Sequence, residues 1–156
     1  MTRKQYTELF AALKSVQSLI GSPTFSYAVA MNLHTLEKEI TALKAVYNGK
    51  PQHTEFEKTE LEVINSFCEK NEKGEPLGEN GRFVIPEKNT AEFEKAITNV
   101  YSTFATEKAE YSAFDEKVVQ LLEEEITIEL LKITKDDLPK EISPAQVSGL
   151  LPIIEK

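Results

Sequence analysis

The sequence predicts a mainly α-helical protein, an elongated antiparallel helical hairpin or bundle with a long heptad-patterned helix and a small β element. Three observations predict it. Residues 89–125 place Phe93, Ile97, Val100, Phe104, Glu107, Tyr111, Phe114, Val118 and Leu121 at alternating spacings of four and three, with neither Pro nor Gly between them. A second series, Val29, Leu33, Leu36, Ile40, Leu43 and Tyr47, repeats the rhythm. Such heptads suit a helix packed lengthwise on another helix. The third observation is Ile126-Thr127-Ile128-Glu129-Leu130, which alternates with period two and is rich in β-branched residues, as a half-buried strand does.

In chain order, residues 2–20 read as a first helix with Tyr6, Leu9, Phe10, Leu13, Val16 and Ile20 on one face, ended by Gly21-Ser22-Pro23. The second helix covers residues 24–47, and Asn48-Gly49 with Pro51 punctuates its end. Asn32 lies beside its seam and is read as a solvated or locally bonded amide rather than a buried register-setting one. A third helix spans residues 54–70, with Phe56, Val63, Ile64 and Phe67 on a face and Glu60 where a further apolar residue belongs. Residues 71–88 form a turn-rich insertion in which Asn80-Gly81 leads into a short strand at Arg82-Phe83-Val84-Ile85. Gly74, Gly78 and Gly81 do not have the spacing of a phosphate loop, and no Gly-Lys-Ser/Thr accompanies them.

The long helix opens at Asn89, a suitable N-cap with Glu92 placed for a capping box. At 1.5 Å per residue it would run roughly 50 Å. Glu123-Glu124-Glu125 opposes the helix macrodipole and marks its end. Residues 126–156 then hold the strand, a turn at Asp136-Asp137-Leu138-Pro139, and a short final helix capped by Ser143 with Pro144 at its first position. The two heptad helices are expected to pair with each other, leaving the stretch from Glu107 to Leu121 without an internal partner.

Composition bounds the function. A chain of 156 residues is read as one domain, able to bury a core without disulfides or metal. Its formal charge of −8 argues against nucleic-acid binding through a basic patch. Lys and Glu interleave, as in Glu37-Lys38-Glu39, which fits solvated helix surfaces better than an acidic imitation of DNA. The longest uncharged segment contains Gln17, Ser18, Ser22, Pro23, Asn32 and His34 and is too polar to span a bilayer. The first ten residues lack an apolar signal core, so a cytosolic location is expected. Cys68 is the single cysteine and reads as a small buried apolar side chain.

The order of motifs FSYAVAMNLHTLEKEI, GENGRFVIPE, AEFEKAITNVYS, EEEITIELLKI and LPKEISPAQVSGLLPIIEK, running from Phe25 to the end, resembles a group of small uncharacterised proteins encoded by bacteriophages and prophages. The resemblance implies a phage origin, hence the host cytoplasm or a virion as location. It brings no catalytic residues.

Nor do the residues assemble a catalytic site. His34 and His53, the two histidines, lack partners at metal-ligand spacing and read as exposed polar residues; Glu-x-x-His is absent. No serine sits in a nucleophile-elbow context. No cofactor is expected. The aromatic residues of the long helix read first as a core seam and alternatively as a recognition surface. The interface candidates are Tyr101, Phe104, Glu107, Tyr111, Phe114 and Val118, with Arg82 and Lys88 from the turn-rich insertion. The expected function is a non-catalytic one exercised through protein–protein contacts in virion assembly or on a host factor, by a homo-oligomer. The alternative is an oligomeric protein sequestering a small-molecule nucleotide signal of host immunity. That alternative needs a cation cluster, and Arg3 and Arg82 are the only arginines.

Overall fold

A computed structural model describes residues 1–79 and 82–155. Among them are six α-helices: α1 (Arg3–Val16), α2 (Pro23–Asn48), α3 (Thr54–Phe67), α4 (Thr90–Thr103), α5 (Ala105–Glu123) and α6 (Pro144–Leu150). The protein is mainly helical, and two two-residue strands, β1 (Gly78–Glu79) and β2 (Arg82–Phe83), pair antiparallel. The Asn80-Gly81 turn expected between them lies outside the described residues. The chain divides into two compact units, one of Met1–Gly49 with Glu116–Lys156 and one of Lys50–Asp115.

In the first unit, α1 starts with a reciprocal capping box between Thr2 and Gln5 and packs against α2 and α6. Its buried face is Tyr6, Leu9, Leu13 and Val16. The helix stops at Val16, short of the expected residue 20, and Ile20 is 95% exposed instead of joining the apolar face. Gly21 then leads the chain past Phe25 and Pro139. A Cβ there would stand 2.6 Å from the Phe25 ring and 3.1 Å from Pro139. The chain can turn tightly onto the start of α2 only where a side chain is missing. Ser22 then caps α2 by accepting the Phe25 N–H at 3.0 Å, with Pro23 at the first position. Phe25, Val29, Leu36, Ile40 and Leu43 are buried along α2, whereas Tyr47 is 47% exposed. The packing partner of α2 is α1 and that of α4 is α3.

The strand expected at 126–130 does not form a ladder. Its alternation survives as burial, with Ile126, Ile128 and Leu130 packed on the core and Thr127, Glu129 and Leu131 exposed. Its backbone groups find other partners. Ile126 donates its N–H to the Met1 carbonyl at 3.0 Å, and Ile128 donates to the Tyr6 hydroxyl at 3.0 Å. Leu131 donates to Asn32 Oδ1 at 2.8 Å while its carbonyl accepts from Asn32 Nδ2 at 2.9 Å. Ile133 bridges in parallel to Ile154. Period-two burial thus needs an apolar face beneath the chain but no neighbouring strand. Asn32 is accordingly 1% exposed, and the solvated reading of it is wrong. Its amide is a clamp on the extended segment.

At the C-terminus, Ser143 and Gln146 form a capping box on α6, and Gln146 Nε2 donates to the Ser15 carbonyl of α1 at 3.1 Å. Gly149 permits this approach, because a Cβ there would lie 2.7 Å from the Ala12 Cβ.

In the second unit, α3 packs against α4. The long helix expected over residues 89–125 is two helices, broken at Phe104, whose φ of −110° and ψ of 43° leave the helical region. Immediately before the break, Ser102 and Thr103 donate their hydroxyls to the Thr98 and Asn99 carbonyls, each at 2.9 Å. The same back-bonding occurs within the unbroken α2 and α3, from Thr35 to the Met31 carbonyl and from Thr59 to the Glu55 carbonyl, so it does not by itself end α4. The capping box expected of Asn89 and Glu92 is also absent. Asn89 makes no side-chain cap and instead donates its Nδ2 to the Phe67 carbonyl at 3.1 Å, tying the start of α4 to the end of α3.

Candidate protein-interaction site

The second unit is built around Phe56, which is 1% exposed. Its ring lies 6.3 Å from Tyr101, 5.6 Å from Phe104 and 5.6 Å from Tyr111, all in tilted geometry favourable to aromatic quadrupoles. Three of the residues expected at an interface therefore meet in one apolar cluster. Their polar atoms are also taken up. Tyr111 donates its hydroxyl to Glu57 Oε1 at 2.5 Å and accepts the His53 N–H at 3.0 Å. Tyr101 donates to Glu60 Oε1 at 2.9 Å, which explains the carboxylate in the apolar series of α3. Lys50 sits 4.7 Å above the Tyr111 ring and Lys108 4.3 Å above that of Tyr101. Burial, reinforced by the Glu60 carboxylate, pushes the Tyr101 hydroxyl up to about 12, and burial with Glu57 raises that of Tyr111.

His53 is half-buried rather than exposed, with its ring 5.2 Å from that of Tyr111 and its Nε2 2.8 Å from Glu110 Oε2. Glu107 and Phe114 are half-buried on α5, and Val118 is buried. Lys88 is exposed in the 3₁₀ turn Glu87–Asn89, and the side chain of Arg82 lies outside the described residues.

The first unit carries a different surface. Lys4, Thr7 and Glu8 of α1, Ile40, Leu43, Lys44 and Tyr47 of α2 and Leu122 of α5 line a groove of about 240 Å³. Its floor is apolar, from Ile40 at 8% and Leu43 at 6% exposure. Tyr47 projects at its edge, and Val119, one helical turn before Leu122, is 52% exposed. The groove exists because the apolar series of α2 outruns the cover that α1 gives it. Sequence reasoning placed Tyr47 in a seam and missed the groove. The available signal was its position at the last step of the series, just before Asn48-Gly49.

Arg3 lies in the same unit and is already committed. Its Nε is 2.6 Å from Glu39 Oε1, and its Nη1 bonds the Glu124 carboxylate and the Leu121 carbonyl. The carboxylate of Glu124, with that of Glu39, raises the guanidinium's affinity for its proton. Arg3 also answers the unfavourable charge at the end of α5, since a cation beside the last carbonyls complements the dipole.

Among the described residues, no group of three or more His, Cys, Asp or Glu side chains is placed to hold a metal ion, and no helix is long and apolar enough to cross a membrane. No family model, curated protein or solved structure matches the chain.

Proposed function

We propose that this is a non-catalytic, phage-encoded protein that acts in the host cytoplasm through protein–protein contacts, in virion assembly or on a host factor. The observation that carries the reading is the groove between α1 and α2. Its apolar floor of Ile40 and Leu43 suits a protruding apolar side chain of a partner. The half-exposed Tyr47 at its edge is the residue type that anchors protein interfaces. The motif order from Phe25 onward supports the phage origin. Sequestration of a nucleotide is less well supported, because the Arg3 guanidinium already neutralises two carboxylates. Affinity capture from infected cells tests the reading, comparing the natural chain with Tyr47→Glu. A virion component or a host defence protein, identified by mass spectrometry and retained only by the natural chain, is the expected result. Identical captured sets would defeat the reading.

A further inference from the structure

We infer that Asn48 is a site of backbone-assisted deamidation, held closed by the last turn of α2 and converted only when that turn opens. The inference goes beyond the protein-contact reading and does not depend on it.

Asn48 and Asn80 are the asparagines that precede a glycine. That dipeptide favours ring closure, because glycine has no side chain to hinder the approach of its nitrogen to the asparagine Cγ. Asn48 is exposed and is the last residue of α2, so water and hydroxide reach its amide. Base takes the Gly49 N–H proton, the nitrogen attacks the Asn48 Cγ, and the new C–N bond closes a five-membered imide while the side-chain nitrogen leaves as ammonia. Water then opens the ring at either carbonyl, giving aspartate or its β-linked isomer, isoaspartate.

The folded chain withholds the nucleophile. Gly49 donates its N–H to the Ala45 carbonyl at 3.2 Å and to the Val46 carbonyl at 3.0 Å. Ring closure also needs the backbone C–N bond nearly eclipsed with Cα–Cβ, and a helical ψ at Asn48 twists it well away. Conversion therefore waits on the opening of the last turn, the part of a helix that frays first. The product loosens what held it. It places a carboxylate beside the last carbonyls of α2, against the dipole, and that turn has no basic residue to receive it. Lys44, four residues earlier, stands in the less favourable order for a helical ion pair. The same end of α2 carries Lys44 and Tyr47 of the groove.

Incubation of the full chain at mildly alkaline pH, in buffer and in guanidinium, followed by peptide mapping with mass spectrometry, tests the inference. In guanidinium Asn48 and Asn80 share one dipeptide chemistry and should convert at similar rates, each to aspartate and isoaspartate. In buffer Asn48 should convert at least tenfold more slowly than it does in guanidinium. Gly49→Ala should slow Asn48 at least tenfold in guanidinium while sparing Asn80. Asn48→Asp, which carries the charge of the product, should melt below the natural chain, by a margin that shrinks as salt screens the dipole. Equal rates for Asn48 in buffer and in guanidinium overturn the gating. An Asn48 that stays intact in guanidinium while Asn80 converts overturns the site. An Asn48→Asp chain that melts at or above the natural one overturns the loosening.

Discussion

Replacing Asn32 by Leu removes the clamp on the extended segment while keeping the site filled. The Asn32 amide makes two bonds with the backbone of Leu131, at 2.9 and 2.8 Å, and is 1% exposed. Each bond contributes about 1 kcal/mol, and a buried group left without its partner costs about 1–3 kcal/mol. The expected loss is about 2–3 kcal/mol, or roughly 4–12 °C in the melting midpoint for a chain of this size. Thermal unfolding followed by circular dichroism measures it. Hydrogen exchange localises it, since the Leu131 amide should lose protection while amides of α3 and α4 keep theirs. A midpoint within a degree of the natural chain, with the Leu131 amide still protected, would refute the clamp and leave Asn32 as filler.

Two further outcomes follow from the same kind of reading. Tyr101 is held in its neutral form, so its contribution to stability is complete below the ordinary tyrosine value of 10 and is lost as pH rises from 10 toward about 12. Tyr101→Phe should flatten the alkaline fall in melting temperature over that window; an unchanged slope between the two proteins would sink the assignment. Gly149→Ala should destabilise the first unit by about 1–3 kcal/mol, because the new methyl meets the Ala12 Cβ at 2.7 Å and forces α6 off α1. Pairing it with Ala12→Gly should recover most of the loss in urea titrations, and failure of that rescue would place the strain elsewhere.

By itself the sequence determined the helical class and most helix starts, because those depend on local chemistry. Ser143-Pro144 caps and opens α6 where the residues indicate, and α2 begins at Pro23, one residue before the expected residue 24. It also determined which side of residues 126–130 is buried, since alternation reports a face. What that face lies against is a tertiary matter. The backbone of the segment is satisfied by the Tyr6 hydroxyl and the Asn32 amide, groups remote in sequence, so a strand pattern ends without a sheet. The break at Phe104 was hidden for a related reason. Heptad spacing runs unbroken through it, and what accompanies the end of α4 is the packing of the Phe104 ring on Phe56 from another helix. The aromatic residues around it were visible as a set, but their turn inward depends on Phe56 from another helix. The groove, finally, is a shortfall in cover, and only the folded chain shows where one helix fails to reach the end of another.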